Sequence, residues 1–206
     1  LTPTTPLAWN ESLYGAARAH SDLMIQHDQQ AHNLPGEASL LTRIVDAGYE
    51  WTGSIGVGEN IFSYAENAFH GHAGFVIDWG FGPGGIQNPA GHRLNIMDPA
   101  FQEVGIGIIA ENDGATDVGP FVVTQDFGRR GNFGDGKVMG VVYEDANHNG
   151  RFDAGEGQGD ITVKVSGSGG TFTVQTWSSG GYQVAVAPGE YTVTASGGML
   201  SVPVTA

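Results

Sequence analysis

The chain has 206 residues, enough for one large domain or two modest ones, and its 40% hydrophobic and 10% aromatic content suits a packed core rather than disorder. A net charge of −14, with only eight Lys and Arg, argues against nucleic acid and anionic membrane as partners and favours hard divalent cations. With no Cys, disulfides and thiolate metal sites are excluded, and no apolar run is long enough to span a bilayer. No signal peptide is present, and a start at Leu1 is compatible with a cleaved or omitted leader.

Asn10 predicts the N-cap of a helix running to about His27, with Leu13, Ala16, Ala17, His20, Leu23, Met24 and His27 on one face. Leu40, Leu41, Ile44 and Val45 predict a short second helix ended by Gly48. A third helical stripe takes in Ala65, Ala68, Phe69, His72, Phe75, Val76 and Trp79. Two strands follow, one carrying Val104, Ile106 and Ile108, the other spanning Pro120 to Phe127. The Gly-rich stretch at 131–136 reads as a linker, which places one domain at 1–130 and another at 137–206.

Short runs then alternate with Gly, Pro and Ser: Val138 to Glu144, Ile161 to Ser166, Thr171 to Thr176, Gly181 to Val186, Gly189 to Ala195 and Met199 to Val204. Their spacing predicts a small antiparallel β-sandwich, immunoglobulin-like or prealbumin-like. Between its first two strands, Asp145 to Glu156 matches a calcium loop position by position. Asp145, Asn147 and Asn149 supply side-chain oxygens, Gly150 the sharp turn, Arg151 a carbonyl, Asp153 the ninth position and Glu156 a bidentate carboxylate. The plainer reading is an Asn/Gly-rich turn held by Asx hydrogen bonds. Strands rather than helices flank the loop, so an EF-hand pair is excluded. The arrangement over Lys137 to Ala206 resembles the B-type repeats of bacterial surface adhesins.

In the first part, landmarks fall in a distinctive order: Leu7-Ala8-Trp9-Asn10, His32, Arg43, Ala47-Gly48-Tyr49, Gly58-Glu59-Asn60-Ile61, Trp79, Gly91-His92-Arg93-Leu94-Asn95-Ile96, Glu103 to Gly107 and Thr124 to Gly128. This series resembles the CAP domain, the pathogenesis-related-1 and sperm-coating-protein superfamily, from about Leu7 to Gly128. The resemblance implies an α-β-α sandwich, hence an α+β fold, with a concave cleft holding two His and two acids. Carried over, these are His32, Glu59 and His92. After Trp79 the sequence reads Gly80-Phe81-Gly82-Pro83, so the fourth acid is missing, and Asp78 is the nearest carboxylate.

Two imidazoles and a carboxylate make a sensible first shell for zinc or a similar divalent ion. Equally, each His serves as a hydrogen-bonding group in a polar cleft, and Glu59 as a brace for the backbone. His20 and His27 read as packed or surface residues of the first helix, and His70 and His72 point to different faces of theirs. A hydrolase of recognised type lacks support: there is no His-Glu-x-x-His run, no Gly-x-Ser-x-Gly elbow and no Cys nucleophile. The expectation is a secreted or cell-surface protein whose cleft binds a divalent metal and a small-molecule, lipid or peptide ligand, with a calcium-stabilised spacer or adhesion domain. The alternatives are a metal-dependent hydrolase, or an adhesive module with a degenerate cleft.

Overall fold

A computed structural model of the chain describes residues 3–131 and 136–197, and the backbone of 204–205. Two compact units form, Leu1–Phe133 and Gly134–Ala206. Most of the expected linker, residues 132–135, lies outside the described residues, as does the last expected strand apart from Val204.

The first unit runs β1 (Ala8–Trp9), α1 (Glu11–Gln26), α2 (Leu40–Asp46), β2 (Ile55–Ala65), α3 (Ala68–Ile77), α4 (Gly91–Ile96), β3 (Glu103–Ala110) and β4 (Phe121–Arg130). One sheet forms in the order β1-β3-β4-β2, antiparallel except for the β1–β3 pair. Asn10 caps α1 by accepting the N–H groups of Ser12 and Leu13, satisfying two of the donors a helix start leaves unpaired. α2 stops where Gly48 takes a φ of 95°, the left-handed turn a glycine adopts without strain.

The helix α1 lies across β3 and β4. Close approach is allowed by Gly105 and Gly107, alternate residues on one face of β3. A Cβ on Gly105 would collide with the backbone of Leu13 and Tyr14, and one on Gly107 would sit 2.6 Å from the Arg18 nitrogen. Leu13, Ala16, Ile44 and Tyr49 fill one part of the interior, Met24, Leu34, Ile61 and Val122 another, and Ala65, Phe75 and Val123 a third.

Two of the differences from the sequence reading bear on the site. The strand β2 was not expected, because its buried positions include Glu59, Asn60 and Ser63, polar groups that break hydrophobic alternation. The third helix is shorter than its stripe. Asn67 caps it by accepting the His70 N–H, Asp78 ends it at a φ of 65°, and Ala65 belongs to β2.

The second unit contains β5 (Gly136–Val141), β6 (Thr162–Gly167), β7 (Gly170–Gln175), β8 (Gly181–Val186), β9 (Tyr191–Ser196) and β10 (Val204–Thr205). They form an antiparallel sheet in the order β10-β9-β6-β7 and an antiparallel pair β5-β8. Ile161, Val163 and Val165 meet Val184, Val186 and Ala195 in its core, and no helix occurs among the described residues of this unit.

Candidate functional site

A buried ionic cluster forms where α1, α2 and β2 meet. His20, fully buried on α1, donates from Nδ1 to Glu37 Oε1 at 2.7 Å, and its Nε2 lies 3.8 Å from Glu59 Oε2. Glu59 accepts from His32 Nδ1 at 2.8 Å and from Arg43 Nη2 at 2.9 Å. Arg43 also reaches the His32 carbonyl at 3.3 Å and Glu37 at 3.4 Å. Burial alone acts to raise the Glu59 carboxyl, but the His32 hydrogen bond and the His20 and Arg43 charges outweigh it and hold the group below the usual carboxylate range.

Directly across the ladder from Glu59 on β2 sits Asp126 on β4. It is fully buried. Burial first, and the adjacent Glu59 charge next, push its carboxyl well above the ordinary value. The pair therefore divides the work: Glu59 carries the charge, and Asp126 holds a proton more readily.

The second arm of the site is on α4. His92 donates from Nδ1 to Asp78 Oδ1 at 2.8 Å, and Asp78 Oδ2 accepts the Arg93 N–H at 3.0 Å. Asp78 is fully buried, held in place by the left-handed turn that ends α3. A chain of amides joins the arms. Asn60 donates to the His92 carbonyl at 3.1 Å, and Asn95 donates to Asn60 Oδ1 at 2.9 Å and to the Glu59 carbonyl at 3.2 Å.

Of the residues expected to share a metal, then, His32 and Glu59 are bonded to each other, whereas His92 is bonded to Asp78. Among the described residues, no three His, Asp or Glu side chains are grouped to hold a metal ion. What the two histidines have in common is a carboxylate on Nδ1, which fixes the tautomer and leaves Nε2 as the nitrogen for a ligand.

Beside His92 opens a cleft of about 750 Å³, walled by Phe62, Phe75, Trp79 and Phe81, with Gln30 and Gln87 among its polar groups. His92 is the one ionisable side chain in its lining, which contains no hydroxyl or thiol; His32 and Glu59 lie outside it.

The Cysteine-rich secretory protein family, CAP, matches residues 2–127. This chain belongs to the CAP family. The CAP domain here has no cysteine. A solved extracellular protein containing an SCP domain, from Bacillus anthracis str. Ames, is similar at 23% identity with a TM-score of 0.46. That match covers 62% of this chain and 35% of the other, so the chain spans about a third of the length of that protein. Comparison with curated proteins gives no match. No described helix is long and apolar enough to cross a membrane.

In the second unit the loop from Asp145 to Glu156 is knit by its own side chains. Asp145 accepts the N–H groups of Asn149 and Gly150 at 3.0 and 2.8 Å, and Asn149 Oδ1 accepts that of Arg151 at 2.8 Å. Glu156, buried, accepts from Ala146 and Asp153 N–H at 3.1 and 2.9 Å. Asp153 receives the amides of Asn147 and Asn149 at 2.7 and 2.6 Å, which hold its carboxyl below the usual range. Gly150 makes the turn at a φ of 74°.

Sequence reasoning missed Glu37 and Asp126 and undervalued His20 and Arg43. The legible signs were a His on a helix stripe that must be buried, and an Asp within the core-strand run Val122 to Phe127, since a buried ionisable group needs a partner.

Proposed function

We propose that the CAP domain is a binding module, not a hydrolase, and that its ligand occupies the cleft beside His92. The lining carries this reading: flat aromatic walls, a few neutral amides, and no nucleophile. His92 is held by Asp78 for recognition, and Glu59, already committed to Arg43 and His32, braces the fold. The test is titration of the full chain with the uncharged apolar probe N-phenyl-1-naphthylamine. Saturable binding with one site per chain is expected, lost in Trp79→Ala; no binding, or binding indifferent to that change, overturns the reading.

One observation favours a divalent ion as a second ligand of the domain. Because Nδ1 of both His32 and His92 is engaged by a carboxylate, their Nε2 atoms are the ligating nitrogens, with Glu59 and Asp78 orienting them. Zinc calorimetry on the wild type and on a His32→Ala/His92→Ala double variant tests this. Equal heats from the two proteins rule the ion out.

We also propose that the second unit is an immunoglobulin-like or prealbumin-like sandwich related to adhesin B-repeats, and that calcium bound by Asp145, Asn147, Asn149, Arg151, Asp153 and Glu156 stabilises it as a spacer or adhesion domain. The twelve-residue pattern of oxygen-bearing side chains supports this. The secretory character of the family supports a place outside the cell.

A further inference from the structure

The cleft wall has an unusual charge distribution. Between Asn67 and His92 the only Asp, Glu, Lys or Arg is Asp78, and it is buried against His92, although the chain as a whole carries a net charge of −14. The cleft lining itself holds no Asp, Glu, Lys or Arg, and the guanidinium of Arg93, which follows His92, is occupied by the Val76 and Ile77 carbonyls. An anionic ligand is repelled by the rest of the molecule, and a cationic one finds no carboxylate in the lining to pair with.

At its rim stands Phe81, completely exposed. It is not on a loose loop. Trp79 and Ile86 form a β-bridge beneath it, Gly80 donates to the Gly85 carbonyl at 2.9 Å, and Gly85 to the Gly82 carbonyl at 3.0 Å. A side chain at Gly82 would collide with the Ile86 carbonyl, so the turn is built to close tightly around Phe81. A fully exposed Phe held rigidly at the mouth of an aromatic-walled cleft extends the cleft's apolar surface towards a ligand.

The polar groups narrow the chemistry. Gln30 spends its oxygen on the Ser63 N–H at 2.7 Å, leaving its amide nitrogen as a donor. Gln87 spends its nitrogen on the Trp79 carbonyl at 3.3 Å, leaving its oxygen as an acceptor. Asn88 adds both. A purely aliphatic ligand would strip water from these amides and replace none of their hydrogen bonds, leaving that desolvation uncompensated. A sugar ring avoids that cost. Its hydroxyls donate and accept, and its C–H face, slightly positive, meets the negative face of an aromatic ring.

Resting on the cleft-binding reading above, we propose that the cleft binds a neutral oligosaccharide, stacked on Trp79 and Phe81 and hydrogen-bonded by Gln30, Gln87 and Asn88. The test is titration calorimetry of the full chain with cellotetraose, chitotetraose and maltotetraose, and separately with the uncharged detergent tetraethylene glycol monooctyl ether. At least one sugar is expected to bind saturably, and Phe81→Ala, which removes a fully exposed side chain and leaves the folded core untouched, should weaken it about tenfold. Sugar binding that Phe81→Ala leaves unchanged overturns the assignment to this cleft. Detergent binding with no sugar binding overturns the oligosaccharide and leaves the cleft-binding reading standing. Silence from both, together with silence from the naphthylamine probe, removes both.

Discussion

Glu59 and Asp126 face each other across one ladder, and the structure predicts opposite outcomes when each loses its charge. In Glu59→Gln the Arg43 guanidinium, only 8% exposed, keeps Glu37 at 3.4 Å but loses the charge it faces at 2.9 Å, and the amide leaves one acceptor oxygen for two donors, Arg43 and His32. Breaking a buried pair from one side costs ~3–5 kcal/mol, and the Glu37 contact that Arg43 keeps places this case near ~3 kcal/mol. For a unit of this size that lowers the melting temperature by about 10 °C. Asp126→Asn copies the protonated form the site already favours, so at pH 7 it should melt at or above the wild-type temperature. The pH dependences also oppose. The folded-state pKa of Glu59 is depressed, so its contribution is present above ~4.3 and is lost as pH falls through the lower folded value. That of Asp126 is raised, so its contribution is full below ~3.9 and drains away as pH rises towards the raised folded value. The assay is thermal melting by circular dichroism from pH 3 to pH 8. Equal losses from the two variants at pH 7, or no loss from Glu59→Gln, would refute the division of charge between them.

Further outcomes follow from particular contacts. Gly105→Ala should give no soluble native protein, because the added methyl meets the backbone of α1; a folded variant with wild-type stability would contradict the packing described. If zinc binds, Asp78→Asn should lower its affinity about 10–100-fold by freeing the His92 ring, as read by calorimetry. Calcium at a hundredfold excess over its dissociation constant should stabilise the second unit by ~2.7 kcal/mol, an effect weakened in Glu156→Gln. Coincident melts of the full chain in calcium and in chelator would remove the ion from that loop.

Much of the fold was legible because local signals agreed with the packing. Asn10 and Gly48 mark helix ends with side-chain and backbone chemistry, and the alternating Val, Ile and Gly of 104–108 mark a strand. β2 was hidden because it buries Glu59, Asn60 and Ser63, whose partners come from distant segments. The site was legible only as a set of family positions. The order of motifs pointed to His32, Glu59 and His92, but nothing in their spacing reveals that Glu59 serves Arg43 and His32. Nor does it reveal that Asp78, one residue ahead of Trp79, reaches His92. That reach depends on the left-handed turn at Asp78, a backbone state that hydrophobic periodicity does not encode.

The most direct test of the cleft as the binding site is side-chain nuclear magnetic resonance of the full chain during addition of N-phenyl-1-naphthylamine. Four tryptophans report independently: Trp9, Trp51, Trp79 and Trp177. The Trp79 indole N–H and the His92 ring signals should shift together while those of Trp9, Trp51 and Trp177 hold still. Saturable binding with Trp79 and His92 unmoved would contradict the cleft as the binding site.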